Sequence, residues 1–170
     1  MKRPLTLLSA ILLTVSAGGQ IVLALLLYNP AGSALLETAG WGVLWLSAVF
    51  GWLPIFTLRR HGGVPGGKAY VHTTRLVKRG VYGIVRHPQY LAGVLLAVAL
   101  PLIARHWLVA LPGAAAIFIY YHDTFAEESA CVRKFGDDYR RYMERVPRLN
   151  FAAGIVRRLR ERKERKTNGH

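Results

Sequence analysis

"RHPQY", Arg86–Tyr90, lies between a basic stretch, "HTTRLVKRG" (72–80), and an apolar run, "LAGVLLAVALPLIA" (91–104). An arginine and a histidine therefore stand at the mouth of a segment apolar enough to enter a bilayer. Charge at that place is costly unless it faces water or a ligand. Pro88 suits the first turn of a helix, where the missing N–H costs nothing. That end of a helix carries free N–H groups and partial positive charge, so it holds carboxylates and other anions well. The bland reading of the same residues is interfacial anchoring, with Arg86 and Tyr90 at headgroup level.

The rest of the chain supplies the membrane. Hydrophobic residues make up 52% of the 170 positions, although a basic tail lowers the mean hydropathy to +0.25. The formal net charge is +14, which suits nucleic acid or an anionic membrane surface. Here the basic residues alternate with long apolar runs, which favours the membrane and argues against nucleic acid. Cys131 is the one cysteine, so no intrachain disulfide forms. The first residues, "MKRPLTLLSAILLTVSAGG", imitate a secretory leader. Their apolar run continues to Tyr28, about 24 residues, which is long enough to cross a hydrocarbon core of roughly 30 Å. A retained transmembrane helix is expected over 5–28. A second follows over 35–58, with Trp41, Trp45 and Trp52 near its ends and Pro54 as a tolerated kink. Two shorter runs, 88–104 and 107–125, are separated by two polar residues and read as a helical hairpin.

With the N-terminus inside, Arg105 alone among the 23 basic residues falls outside. The positive-inside rule then gives four spans with both termini cytoplasmic. Beyond the fourth span, Phe125, Val132, Phe135, Tyr139, Tyr142 and Val146 recur at helical steps. Gly136 interrupts the stripe, and Asp137 and Asp138 suit a new helix start. The expected fold is an all-α integral membrane protein: four transmembrane helices plus cytoplasmic amphipathic C-terminal helices. One domain would cover 1–151, and a basic membrane-surface tail 152–170. That tail holds seven Lys or Arg against two Glu between Arg157 and Lys166, and it is expected to lie on anionic headgroups and then fray.

Among shorter motifs, "GGVPGGKA" (62–69) fits the start of a P-loop, but Ala69 stands where a Ser or Thr is needed and no strand precedes it. A flexible turn is the better reading. Glu127 and Glu128 are adjacent, so only one of them can point inward while the other meets solvent.

Taken together, "LVKRGVYGIVRHPQYLAG", the hairpin and "AEESACVRKFGDDYRRYMERVP" resemble the membrane methyltransferases related to isoprenylcysteine carboxyl methyltransferase and the phospholipid N-methyltransferases. The shared pattern is Gly80-x-Tyr82, then Arg86-His87-Pro88-x-Tyr90, Glu127-Glu128, Phe135-Gly136-x-x-Tyr139-x-x-Tyr142, and Arg145 before Val146-Pro147. It covers 75–150. The resemblance implies S-adenosylmethionine as methyl donor at the cytoplasmic face, held by Tyr82, Arg86, His87, Tyr90, Glu127 and Glu128. It places Arg145 near the acceptor, with Glu128 as its catalytic companion, and assigns no metal ligands. The acceptor would be lipophilic: a prenylcysteine-type carboxylate or a lipid amine. Membrane lipids are then the expected partners. Some membrane sterol and steroid reductases carry a similar Arg-His-Pro-x-Tyr followed by Gly-Glu and use NADPH, but here Gly93 is followed by Val94. A non-catalytic module on the same scaffold is the remaining alternative.

Overall fold

A computed structural model describes residues 4–167. The described residues are helical, without strands. Helix α1 covers Pro4–Leu26, α2 Ala34–His61, α3 Pro88–Ala104, α4 Ala110–Phe135, α5 Asp137–Arg145 and α6 Phe151–Thr167. Short 3-10 turns occupy Gly80–Gly83 and Trp107–Val109. α1, α2 and the Trp107–Phe135 segment are long and apolar enough to cross a membrane, and α3 is a shorter apolar helix of 17 residues. Large apolar side chains on α1 and α2, such as Leu7, Val15, Leu25 and Trp45, are exposed. That arrangement is costly in water and expected in lipid.

The chain divides into two compact units. The first comprises Met1–Gly51 and Gln89–Ala126. Within it, α3 and α4 form the expected hairpin: Gly93 lies against the Tyr120 ring, and Gly113 comes close to the Ala97 carbonyl. Pro101 interrupts α3 without ending it. Its ring nitrogen cannot bond the carbonyl four residues earlier, that of Ala97. Gln20 on α1, fully buried, donates its amide to that oxygen at 2.8 Å and to the Val109 oxygen at 3.2 Å. A polar side chain thus satisfies a carbonyl that proline left open, and ties α1 to the hairpin.

At the hairpin turn Arg105 adopts φ 54°. Its guanidinium reaches Glu37 at 3.2 Å and the Gly32 carbonyl at 3.0 Å, and lies over the Tyr28 ring. An apolar cleft of about 530 Å³ opens beside it, lined by Val98, Pro101, Trp107 and Ile117 among others.

The second unit comprises Trp52–Pro88 and Glu127–His170. α2 runs through Pro54 to His61, three residues past the expected end, and closes on Arg59, Arg60 and His61, cations at the negative end of its dipole. Residues 62–79 form turns rather than a phosphate loop. α4 stops at Phe135 and α5 begins at Asp137, so the break falls where the sequence predicts. Gly136 has φ +58°, a conformation that L side chains rarely adopt. Tyr139, Tyr142 and Val146 of α5 form a buried cluster with Leu76, Val132, Phe135 and Met143. The tail differs from its expected fraying: α6 holds helix through Thr167. It packs through Gly154, whose α-carbon abuts the Ile84 carbonyl where a Cβ would collide.

Candidate functional site

The second unit gathers three chemistry-bearing side chains around one carboxylate. Glu128, on the last third of α4, is 4% exposed. Its Oε1 lies 3.2 Å from Arg86 Nη1 and 3.2 Å from His87 Nε2. Arg148 closes the set as a bidentate pair, Nε to Oε1 at 3.1 Å and Nη2 to Oε2 at 2.6 Å. Neighbours on a helix point about 100° apart, and Glu127 is the exposed one. The inward carboxylate is therefore Glu128.

Backbone pairing brings the cations there. The Arg86 N–H donates to the Pro147 carbonyl at 3.0 Å and the His87 N–H to the Arg148 carbonyl at 3.3 Å. Two segments some sixty residues apart in the sequence are joined across both hydrogen bonds. The Gly80–Gly83 turn is held from the other side by α5, where Tyr142 Oη donates to the Tyr82 carbonyl at 2.7 Å. Tyr139 and Tyr142 stack edge to face, 5.5 Å between centroids. Burial drives the Tyr82, Tyr139 and Tyr142 phenols well above the ordinary tyrosine range, with the Glu127 charge adding to the effect at Tyr82. They remain protonated, and Tyr142 acts as a hydrogen-bond donor.

His87 is 4% exposed, and burial lowers its pKa; Arg86 adds to this, while Glu127 and Glu128 oppose it. The neutral ring presents Nε2–H to the Glu128 carboxylate, since an ionised carboxylate only accepts. With His87 neutral, Arg86 and Arg148 bring two positive charges to one negative. The cluster keeps a surplus of one positive charge, and Arg86 Nε is buried without a hydrogen-bond partner. A buried N–H left open costs about 1–3 kcal/mol, so this place favours an added anion.

The structure assembles Arg86, His87 and Glu128 and sets Tyr82 on the adjoining turn. Glu127 is exposed, close enough to act on His87 and Tyr82 electrostatically. Tyr90 belongs to the first unit, edge-on to Tyr120 at 6.1 Å. Arg145 is exposed at the end of α5; the basic residue that reaches the carboxylate is Arg148. Sequence reasoning passed over Arg148, one of many cations near the C-terminus.

Among known proteins, the family described as phospholipid methyltransferase matches residues 36–138. The Delta(14)-sterol reductase of Dictyostelium discoideum is 33% identical over 94 residues, covering 49% of this chain and 18% of that protein. The chain thus spans less than a fifth of that relative's length. No solved structure matches the chain.

Proposed function

The chain belongs to the phospholipid methyltransferase family, and from that premise we propose that it transfers a methyl group from S-adenosylmethionine to a lipophilic acceptor at the cytoplasmic membrane face. The observation that carries the reading is the buried Arg86–His87–Glu128–Arg148 cluster with its surplus positive charge and open Arg86 Nε–H. The donor presents a carboxylate for which that N–H and the α3 N-terminus are complementary. When bound it supplies a methyl on a positively charged sulfur, already reactive toward carboxylates and amines. The protein's part is to align the groups and keep water out.

Glu128 holds both guanidiniums in fixed orientation, so Arg86 meets an incoming carboxylate without rearranging. His87, neutral at physiological pH, keeps the Glu128 charge in place without cancelling the cluster's surplus. The Tyr82 turn and the α5 tyrosines offer aromatic walls for a purine. A carboxylate acceptor is ionised near neutral pH and needs no base, whereas an amine must first lose a proton. In this reading α3 is the fourth membrane crossing, short but flanked by Arg86 and Arg105.

The test is incubation of purified protein with methyl-labelled S-adenosylmethionine and a host lipid extract, following label into the lipid fraction. The sterol reductase relative favours a second reading, NADPH-dependent reduction of a sterol-like lipid. Titration calorimetry with both cofactors separates the two. Binding of NADPH and not of S-adenosylmethionine would replace the methyltransferase reading.

A further inference from the structure

α6 presents two different faces. At 3.6 residues per turn, Gly154, Arg157, Arg158 and Glu161 share one side. That side meets the Tyr82 turn. Gly154 abuts the Ile84 carbonyl, Arg157 donates to the Gly83 carbonyl while pairing with Glu161 at 2.6 Å, and the Arg158 guanidinium stands over Gly83. Ile155, Val156 and Leu159 lie on the far side, 40%, 47% and 61% exposed. Exposed Arg160, Arg162 and Lys163 lie along this strip and its margins. The helix's acidic residues do not join them: by the same geometry Glu161 sits on the packed side and Glu164 at its edge. An apolar strip framed by cations, on a helix already packed through its other face, is the pattern of an interfacial helix.

We propose that the outward face of α6 docks on anionic phospholipid headgroups, and that docking steadies the Gly80–Ile84 segment and so raises affinity for the methyl donor. Charge complementarity selects the partner: the outward face carries cations and no carboxylate, and the chain already enters a membrane. Leu159, Ile155 and Val156 reach the acyl boundary while Arg160, Arg162 and Lys163 meet phosphates. The opposite face transmits the effect. α6 touches Gly83 and Ile84 by main chain and guanidinium, and these residues adjoin Tyr82, two positions before Ile84. An α6 fixed between bilayer and turn leaves Gly83 fewer positions to sample, which lowers the ordering cost of binding at the neighbouring cluster. The effect on donor affinity rests on the methyltransferase reading; the docking itself does not.

The experiment places the full chain in nanodiscs of phosphatidylcholine alone or with phosphatidylglycerol. Hydrogen exchange reports on 151–167 and 80–84, and calorimetry reports S-adenosylmethionine affinity. Slower exchange over both segments only with phosphatidylglycerol, reversed by added salt, is expected. Donor affinity should rise about fivefold, the low end of coupling between two sites. The Arg160→Gln/Arg162→Gln/Lys163→Gln variant keeps helix propensity and matches the unmodified chain in phosphatidylcholine. It should lose both responses to phosphatidylglycerol. Equal protection in the two lipids overturns the requirement for anionic lipid, and protection in neither overturns docking. Docking with unchanged donor affinity overturns the coupling. If no donor binds in either lipid, the methyltransferase reading falls, and the exchange data still decide whether α6 docks.

Discussion

Glu128 is one negative charge shared by three neighbours, and the sharing sets what each substitution does. Glu128→Gln removes the counter-charge of two largely buried arginines; breaking a buried pair in this way costs about 3–5 kcal/mol. The thermal midpoint in detergent should fall sharply, and Arg148→Met together with Glu128→Gln should recover part of the loss. Arg86→Ala should weaken S-adenosylmethionine binding by about 1.5–3 kcal/mol, roughly tenfold or more; unchanged affinity in calorimetry would return Arg86 to an interfacial anchor. His87 gives a pH signature. Its folded pKa lies below the 6.5 of the free side chain because it is buried, so the unfolded chain takes up a proton first. Stability is then complete above about pH 6.5 and declines as pH falls from there toward the folded pKa. His87→Asn should flatten that window in thermal scans at stepped pH. Arg86 and His87 were legible in the sequence because a proline and an apolar run follow them, and the Glu127–Glu128 pair because it closes an apolar segment. Arg148 was not, because its role comes from pairing through space with a segment sixty residues away, and nothing local distinguishes it from other arginines.

Among the elements, the break between α4 and α5 was readable because a glycine followed by two aspartates is both a left-handed hinge and a helix start. The tie between α1 and the hairpin was hidden. Gln20 bonds a carbonyl orphaned by a proline 81 residues later, and neither residue names the other. Gln20→Leu should cost about 1–3 kcal/mol, the cost of a carbonyl left without a partner. In Pro101→Ala the backbone can bond Ala97 itself, so Gln20→Leu should cost less there. Equal losses in the two backgrounds would show that Gln20 acts by packing alone. α5 carries a second test. Arg145 is exposed while Tyr142 holds the Tyr82 turn, so Arg145→Ala should reduce label transfer to lipid while donor affinity stays the same. Tyr142→Phe, which loses only the hydroxyl, should weaken donor binding instead.

At the scale of the whole chain, the proposed four crossings would put residue 33 and residue 167 on opposite sides. Cysteines introduced at Ser33 and Thr167 in a Cys131→Ala chain should react with an impermeant reagent from opposite faces of sealed vesicles. Labelling of both from one face would remove α3 as a crossing. The order of the segments was open to reading because apolar length and the one-sided distribution of basic residues are summed over many positions. The packing of the tail on the Tyr82 turn depends on Gly154, Arg157 and Arg158 at particular positions, and no sum reveals it. The backbone pairing of Arg86–His87 with Pro147–Arg148 also bears on biosynthesis. Glu128, near the end of the last long apolar helix, is synthesised twenty residues ahead of its bidentate partner. Until Arg148 follows, the nascent chain holds a carboxylate in place with half its final counter-charge. The assembly is therefore closed only once Arg148 has been added. Chains arrested after Val146 should insert normally yet remain open to proteolysis around residues 80–87, whereas chains arrested after α6 should resist it.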